Sequence, residues 1–426
     1  MPVLQKPTSG LYLIVLLTAA SPAPAQSIDE LLQSALSNNR EYLATVQRVR
    51  EAEALVRQAG VRPAPALEGE GGSTRLLGAA GSQEYTIAYS HPLETGGKRG
   101  KRVAVATLGL EIAKAEADEK RRMLAFEVRQ AYVEAVSASR RAAVLAEVAR
   151  IDGDTLRLVS ARVEEGDAAP LERQLLETEI ARNDAERALA EGRVETSLFA
   201  LQRIGAIAPG AAVLKLQPAR SPGAPPADEL ARRALASRPD LRALRFAEEQ
   251  ARAGVDLARA ESSPDITASA RYAYRSSAFD QFGFDSAGAV TPIRDRENVL
   301  TFGFSAPLFT GRKNQANIEA AAIREREARL LREHLSTTIP TEVNLAFRNW
   351  TAARTALDIY DARILPQAER NLDVIRQAWQ LGQSRFLDVL NEQRRLTDLR
   401  LAQVEAEAGL MKAWTDLEHA VGGNIQ

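Results

Sequence analysis

The chain has 426 residues, a formal net charge of -1 and no cysteine; 45% of its residues are apolar and only 5% are aromatic. The near-zero charge, without lysines and arginines clustered among aromatic residues, argues against nucleic acid as a partner. The lack of cysteine excludes disulfide bonds and a lipidated N-terminal cysteine. A composition dominated by Ala, Leu, Glu and Arg is typical of long helices that pack through small residues.

The first segment of the chain predicts export. Lys6 precedes the apolar run Leu11 to Leu17, and the small-x-small pattern Ala23-Pro24-Ala25 precedes Gln26. This combination is typical of a secretory signal peptide, which we place at residues 1–25. No later stretch approaches the roughly 18 consecutive apolar residues that indicate a transmembrane helix.

A short motif that occurs twice marks a change from strand to helix. Each copy follows a segment of polar/apolar alternation and precedes a long segment with helical periodicity. In such a turn proline suits the end of a strand, threonine can cap the first helical turn, and glycine permits the reversal. The residues in these roles are Pro92, Thr95 and Gly96 in the first copy and Pro307, Thr310 and Gly311 in the second.

A phosphate-binding loop is the alternative interpretation of this motif. Arg99 follows Lys98 where such a loop has Ser or Thr, and no glycine stands five residues before Lys98. We therefore retain the structural turn.

The chain predicts two copies of one element order: helix, strand, strand and long helical hairpin. In the first repeat, residues 26–204, a helix over Ser27 to Gly60 precedes strands at about 66–90 and a helical hairpin over 97–203. The first arm of this hairpin, predicted from Gly97 to about Glu164, contains no proline. At about 1.5 Å per residue it reaches a length on the order of 100 Å.

A linker over residues 205–227, rich in Pro, Ala and Gly, leads to the second repeat, residues 228–423. Here we predict strands at about 265–306 and a helical hairpin over 311–421, with bends in its long helix where Pro340 and Pro366 each remove a backbone donor. Landmarks of the first repeat recur at a nearly constant offset, which indicates an internal duplication rather than a short solenoid repeat.

The strands of the second repeat show clear alternation. Large apolar residues alternate with small or polar ones around Tyr272 and again around Phe302. A long loop is predicted between them, over Arg275 to Glu297, whereas the turns towards the helices are short. A half-buried soluble sheet is the alternative, but the predicted strands are brief and have no other apolar layer to pack on in an exported chain.

Four strands in one chain predict an assembly if the sheet lies in a bilayer. A membrane tolerates strands only in a closed barrel, and closed barrels need about eight strands or more. The second hairpin carries a helix-packing seam from Leu387 to Met411, interrupted by Arg394 and Thr397. Such a seam suits a ring of helices around a wet lumen better than a dry bundle.

These features resemble the outer-membrane efflux proteins related to TolC. The resemblance extends from Ile28 to Gly422 and includes the duplication, the Pro-Leu-x-Thr-Gly turns and the hairpin tips. The segment Leu93 to Arg99 is similar to the CzcC-like subfamily that serves heavy-metal efflux pumps. The resemblance implies a mainly α fold with a small β part. In it, a homotrimer closes a twelve-stranded β-barrel that continues as a twelve-helix α-barrel tunnel.

The resemblance also implies a function, a location and partners. The trimer would lie in the outer membrane of a Gram-negative bacterium, in contact with outer-membrane lipid, and extend into the periplasm. It would be the passive exit duct of a tripartite RND-type efflux system for heavy-metal cations. A periplasmic adaptor, or membrane fusion protein, would connect it to an inner-membrane transporter.

Residues at the hairpin tips take roles from the same resemblance. Asp388 matches an acidic position of the family's pore constriction, Glu172 is its counterpart in the first repeat, and Asn391 stands where some members have a second acid. Three copies of these acids would attract cations, although first-turn acids that stabilise a helix dipole are the alternative. The tips that would contact the adaptor contain Gly166, Asp167, Gly382, Gln383 and Ser384.

No motif predicts an enzyme, a cofactor or a resident metal. The three histidines, His91, His334 and His419, are scattered, and Met123 and Met411 are too few for a soft-metal relay. A duct for drugs or for polypeptides of type I secretion is the alternative within the same fold. A periplasmic coiled-coil scaffold without a pore is the alternative of a different class.

Overall fold

The computed structural model of the protein describes residues 28–74, 81–205, 223–308 and 314–425. The predicted signal peptide, most of the predicted linker, and Thr310 and Gly311 of the second turn motif lie outside the described residues. In the described part the protein is mainly helical, with one small antiparallel sheet.

The elements follow the same order in the two halves. The first half contains α1 (Ile28–Asn38), α2 (Arg40–Ala59), β1 (Ala66–Ser73), β2 (Gln83–Leu93), α3 (Lys98–Glu164) and α4 (Pro170–Gly205). The second half contains α5 (Ala227–Ser237), α6 (Pro239–Glu261), β3 (Ile266–Phe284), β4 (Val290–Ser305), α7 (Gln315–Ile359), a π-helical turn (Tyr360–Ile364), α8 (Leu365–Gln380) and α9 (Phe386–Val421).

The predicted first helix, Ser27 to Gly60, is wrong because the chain forms two helices that meet at Asn39. Polar side chains compete for the backbone there: the Ser37 hydroxyl donates to the carbonyl of Gln33 at 2.8 Å. Such local hydrogen bonds offer the backbone an alternative to helix continuation. In the second half the corresponding break, between α5 and α6, falls before Pro239, which occupies the first turn of α6.

The predicted long loop over Arg275 to Glu297 is also wrong, since β3 and β4 extend into it. They meet in a tight turn in which the Asp285 carboxylate accepts the N–H groups of Ala287 and Ala289, each at 2.9 Å. Gly288 has φ of 79°, which a glycine adopts without strain. The two strands are therefore 19 and 16 residues long rather than brief. The residues of β3 and β4 nearest this turn include many polar ones, so the sequence there resembles a loop. The strands nevertheless continue, because their ladder is formed by backbone hydrogen bonds, which do not depend on side-chain polarity.

The four strands form one antiparallel sheet in the order β1-β2-β3-β4. The central pair β2 and β3 joins the two halves of the chain, with Ile87 opposite Tyr272. Beyond the sheet, α7 continues through Pro340, whereas Pro366 lies in the first turn of α8, directly after the π-helical turn.

Contacts within the described chain define two compact units that do not coincide with the predicted repeats. The hairpin unit comprises residues 28–39, 127–205 and 360–408. The sheet unit comprises the remaining described residues. The predicted repeats, residues 26–204 and 228–423, therefore describe a repeated order of elements in the sequence. They remain a prediction and do not correspond to the two compact units.

Each unit has its own apolar core. Burying a leucine or valine side chain contributes roughly 1.5–3 kcal/mol, so each cluster is a main source of stability for its unit. The principal core residues of the sheet unit are Leu230, Ala234, Leu241, Ile339, Val343, Trp350 and Leu417. Those of the hairpin unit are Val159, Leu176, Leu372, Trp379, Phe386 and Leu390.

Candidate functional site

The first strand-to-helix turn needs glycine for two reasons. Gly96 and Gly97 both have φ of 69°, a left-handed conformation that other residues adopt only with strain. A Cβ atom added at Gly96 would lie 3.0 Å from the Ser263 hydroxyl oxygen and 3.2 Å from the Ala260 carbonyl oxygen. The turn is therefore packed against the segment that leads into β3.

The predicted capping role of Thr95 is wrong. Because α3 begins at Lys98, Thr95 lies outside the capping position. Its hydroxyl donates to the carbonyl of Pro264, and its N–H donates to the Asp265 carboxylate at 3.0 Å. Lys98 forms an ion pair with the same carboxylate at 2.7 Å. Thr95 thus ties the turn after β2 to the entry of β3 in the other half of the chain.

The side chains of the sheet divide into two faces of opposite character. Directly opposite residues in neighbouring strands share a face, so the register assigns each position. Ile87 on one face is 57% exposed, while the adjacent Thr86 on the other is 8% exposed. We call the first the apolar face; it carries Leu67, Tyr85, Ile87, Tyr89, Tyr272, Leu300, Phe302 and Phe304. The other, the polar face, carries Glu84, Thr86, Ser90, Ser269, Arg271, Arg275, Glu297 and Thr301.

The two edges of the sheet each have one neighbour in the described structure. β1 pairs with β2 alone, and β4 pairs with β3 alone. An edge strand presents a row of backbone donors and acceptors that can template pairing with another chain. The 16-residue edge of β4 is long for a strand that stays unpaired.

The two hairpin tips have the same turn. Gly166 follows α3 with φ of 82°, and Gly382 follows α8 with φ of 72°. The next residue in each case, Asp167 or Gln383, donates its N–H across the turn to the carbonyl five residues earlier, at 2.8 Å. This is the Schellman arrangement, in which a left-handed glycine closes the end of a helix.

Asp388 has a structural role at the start of α9. Its carboxylate accepts the N–H of Arg385 at 3.1 Å, as the third residue of a capping box does, and the Arg385 guanidinium lies 3.7 Å away. Glu172 stands at the equivalent place in α4 and has one buried carboxylate oxygen without a hydrogen-bond partner in the described structure. Asn391 is exposed one turn beyond Asp388.

An aromatic contact that the sequence did not predict holds the second tip together. The rings of Trp379 and Phe386, on either side of the turn, have centroids 5.3 Å apart. Arg162 at the end of α3 lies over the Trp379 ring, 4.7 Å from its centroid, in a cation–π contact. The Ser384 hydroxyl donates to the Ile375 carbonyl at 3.3 Å.

A buried polar network connects four helices of the hairpin unit. Asp152 in α3 is 1% exposed and accepts hydrogen bonds from Asn183 of α4 at 2.8 Å and Gln393 of α9 at 2.6 Å. The Arg376 guanidinium of α8 donates to the side-chain carbonyl oxygen of Gln393 at 3.4 Å. Burial raises the pKa of the Asp152 carboxyl, because a charge there is poorly solvated.

Arg394, which the sequence showed as a polar interruption of the apolar seam, also has a defined partner. Its guanidinium donates two hydrogen bonds to the Glu179 carboxylate, one of them at 3.1 Å. Arg182 lies 3.0 Å from the same carboxylate. The interruption is therefore a cross-helix ion pair rather than a free charge. No local sequence signal pairs residues so far apart along the chain.

A second polar network lies in the sheet unit where α9 ends. Arg238, at the junction of α5 and α6, forms ion pairs with Asp240 at 2.6 Å and Glu342 at 2.5 Å. Arg122 lies 3.2 Å from Nδ1 of His419. Burial and these two arginines lower the pKa of His419 to about 4.

The described residues contain neither a candidate membrane-spanning helix nor a candidate metal-binding group. Within the described ranges, no helix is both long enough and apolar enough to cross a membrane. Nor does any group of three or more His, Asp or Glu side chains in those ranges have an arrangement that could hold a metal ion.

Comparison with known proteins gives the family. The family model described as "Outer membrane efflux protein" matches residues 31–205 and 230–423. The cobalt-zinc-cadmium resistance protein CzcC of Cupriavidus metallidurans is 24% identical over 403 residues, covering 93% of this chain and 90% of that protein. The pyoverdine export outer membrane protein OpmQ of Pseudomonas aeruginosa is 27% identical over 432 residues, covering 91% and 85%.

The fold has a close counterpart among solved structures. A crystal structure of CusC, described in terms of folding and transmembrane channel formation, superposes with a TM-score of 0.75 at 19% identity and covers 99% of both chains. At this identity the likeness shows the fold. The family model matches both halves of the chain and therefore shows the family. This chain belongs to the outer membrane efflux protein family, in agreement with the function and location predicted from its sequence.

Proposed function

We propose that three copies of this chain form the passive exit duct of a tripartite RND-type efflux system. The observation that carries the proposal is the sheet, whose large apolar side chains lie on the exposed face and whose two edges lack a second neighbour in the described structure. A soluble sheet buries its apolar face, whereas a membrane barrel turns that face outwards to lipid.

Closure of the sheet follows if β1 of one copy pairs with β4 of the next. Three copies then supply twelve strands, and no strand edge remains unpaired in the bilayer. The polar face would line the lumen, with ion pairs such as Arg275 with Glu84 at 3.1 Å. The helical hairpins of three copies would supply the twelve helices of a periplasmic tunnel.

We assign the hairpin tips to the adaptor. Both tips end in glycines without side chains, Gly166 and Gly382, followed by the polar residues Asp167, Gln383 and Ser384. A partner helix can approach such a turn closely, because no Cβ atom stands in the way. The adaptor would couple the duct to an inner-membrane transporter.

We assign the constriction of the duct to Asp388, Glu172 and Asn391. The unpartnered carboxylate oxygen of Glu172 supports this assignment, because a buried acceptor requires a donor or a cation.

In planar bilayers, D388A/E172A should conduct more than the wild type at the same voltage. A matched control is D184A, which removes an exposed acid of α4 that pairs with Arg187. Equal conductance of all three proteins would reject the constriction.

Heavy-metal cations are the cargo that the comparisons support best, because CzcC is described as a cobalt-zinc-cadmium resistance protein. A second candidate is an organic siderophore, since OpmQ is described as a pyoverdine export protein. Deleting the gene should lower tolerance to zinc, cobalt or cadmium, and the plasmid-borne gene should restore it. Unchanged metal tolerance together with lost export of siderophore or drug would reject the metal assignment.

Membrane location separates the duct from a periplasmic scaffold. The mature protein should sediment with outer membranes and resist extraction by high salt, because its apolar face would be embedded in lipid. Extraction of the protein by salt alone would favour the scaffold.

A further inference from the structure

Two arginines interrupt the apolar face of the sheet. In the ladder between β3 and β4, Arg296 lies opposite Ser276 and Arg294 lies opposite Ala278. Both alternate along β4 with the positions of the polar face, so they share the face of Phe302. Both are exposed.

At the paired positions of that face, neither arginine has a carboxylate directly opposite it. At the paired positions of the described strands, every acidic residue at this level lies on the polar face, including Asp295 and Glu297. The arginine of that level on the polar face, Arg275, forms an ion pair with Glu84. The apolar face therefore carries two arginines whose directly opposite residues in β3, Ser276 and Ala278, are uncharged.

The position of these arginines along the strand matches a membrane boundary. Arg296 lies eight residues from Phe304, about 26 Å along the strand, and Arg294 lies about 33 Å from it. At a strand tilt of about 40°, these lengths correspond to heights of roughly 20 and 25 Å, the height of the apolar band of a membrane barrel. The stacked rings of Tyr85 and Tyr274, 6.4 Å apart, come directly before them, as an interfacial aromatic belt does.

The same face becomes apolar again beyond the arginines. Phe282 lies opposite Pro292, Phe284 lies opposite Val290, and both phenyl rings are well exposed. A molecule seated along this face therefore meets a broad apolar band, then two guanidinium groups, then two aromatic rings. Acyl chains, phosphate groups and sugar rings, in that order, fit this sequence of surfaces.

We propose that Arg294 and Arg296 bind the phosphate groups of lipid A, the phosphorylated glycolipid of the outer leaflet. The orientation rests on the proposed function, which places the helices in the periplasm and this end of the sheet at the cell exterior. Guanidinium groups form paired, charge-assisted hydrogen bonds with phosphate, and the low dielectric of the interface strengthens them. Phe282 and Phe284 pack against the glucosamine rings.

The test measures lipid binding to the purified, detergent-solubilised full-length protein by native mass spectrometry. The probes are bis-phosphorylated lipid A, the same lipid without phosphates, and phosphatidylglycerol. The variant R294Q/R296Q should bind bis-phosphorylated lipid A about tenfold more weakly than the wild type, which itself should prefer that lipid to the other two. The control R271Q, which removes an arginine from the polar face, should bind as the wild type does.

Three results would overturn the proposal: equal affinity of R294Q/R296Q and the wild type, an equal loss in R271Q, or wild-type preference for phosphatidylglycerol. If the double variant fails to fold, the lipid comparison on the wild type and the single variants R294Q and R296Q still decide the question. Failure of the proposed function is distinguishable, because the protein would then be absent from outer membranes. Loss of lipid A selectivity in a membrane-inserted trimer would count against this inference alone.

Discussion

At the scale of single residues, the hairpin tips depend on backbone conformation more than on side-chain contacts. Gly382 has φ of 72°, and nothing lies within 4 Å of the place where a Cβ atom would stand. Steric space therefore does not forbid another residue there, but the left-handed conformation disfavours one.

The variant G382A should lower the free energy of unfolding by about 1 kcal/mol, because alanine adopts this conformation with strain, whereas G382N should lose less. The matched control is G192A, in the interior of α4 with open space around it, which should gain up to about 1 kcal/mol through helix propensity. Denaturant unfolding of the detergent-solubilised protein measures both. Equal stability of G382A and the wild type would contradict the strain argument.

His419 makes the stability of the sheet unit depend on pH. Its pKa is lowered from 6.5 to about 4 by burial first and then by Arg122 and Arg238, while Asp240 and Glu342 act in the opposite direction. Between pH 6.5 and 4 the unfolded chain therefore binds more protons at this site than the folded chain. Stability contributed by neutral His419 is present above pH 6.5 and is lost as pH falls towards 4.

The variant H419Q should lose less stability than the wild type on acidification across this window, by up to roughly 3 kcal/mol. H334Q, which changes an exposed histidine of α7, serves as the control and should keep the wild-type slope. Thermal unfolding followed by circular dichroism at several pH values provides the measurement. Parallel pH slopes for H419Q and the wild type would refute the role of His419.

At the scale of elements, the hairpin unit is held by polar contacts as well as by its apolar core. Asp152 is the common acceptor for amides from two other helices, and Gln393 passes the contact on to Arg376. Removing a shared acceptor leaves several buried donors without partners, and each costs more than a typical hydrogen bond contributes.

The variant D152A should destabilise the hairpin unit by about 2–4 kcal/mol, because the amides of Asn183 and Gln393 are then buried without an acceptor. D152N should cost much less, since it keeps an oxygen acceptor and removes a poorly solvated charge. Hydrogen exchange of the backbone amides in α4 and α9 reports the difference. Equal protection in D152A and D152N would show that the network contributes little.

At the scale of the whole molecule, the two edges of the sheet are expected to pair with further copies of this chain. β1 and β4 each have a neighbour on one side only in the described chain. Since the natural sequence has no cysteine, introduced cysteines report only the contacts that they are placed to test.

A cysteine at Glu68 in β1, combined in turn with one at Val299, Thr301 or Gly303 in β4, should link copies covalently in at least one pairing. All four positions lie on the polar face. If β1 of one copy pairs with β4 of the next, the β4 position that lies opposite Glu68 has its Cα atom within about 7 Å of the Glu68 Cα atom, which is close enough for a disulfide. The control places the second cysteine at Ala273 in the interior strand β3, which should not cross-link copies. Non-reducing gels that show only monomer for all pairings would contradict edge-to-edge closure.

The sequence alone determined the features that depend on local chemistry. The limits of α3 were predicted nearly to the residue, since glycine precedes the helix, proline is absent from it and Gly166 ends it. The alternation around Tyr272 and Phe302 located two strands, and the repeated turn motif led to the family. Each of these patterns involves only a few neighbouring residues, so it can be recognised without knowing which distant residues pack against it.

Only the tertiary structure decided the features that depend on distant partners. It showed that β3 and β4 extend through polar segments, because their ladder is made by backbone groups that carry no sequence signal. It also gave Thr95 its partners before β3 and assembled the Asp152 network from helices far apart in the chain. A hydrogen bond between residues 241 positions apart depends on how the helices pack, and a single sequence does not state that packing.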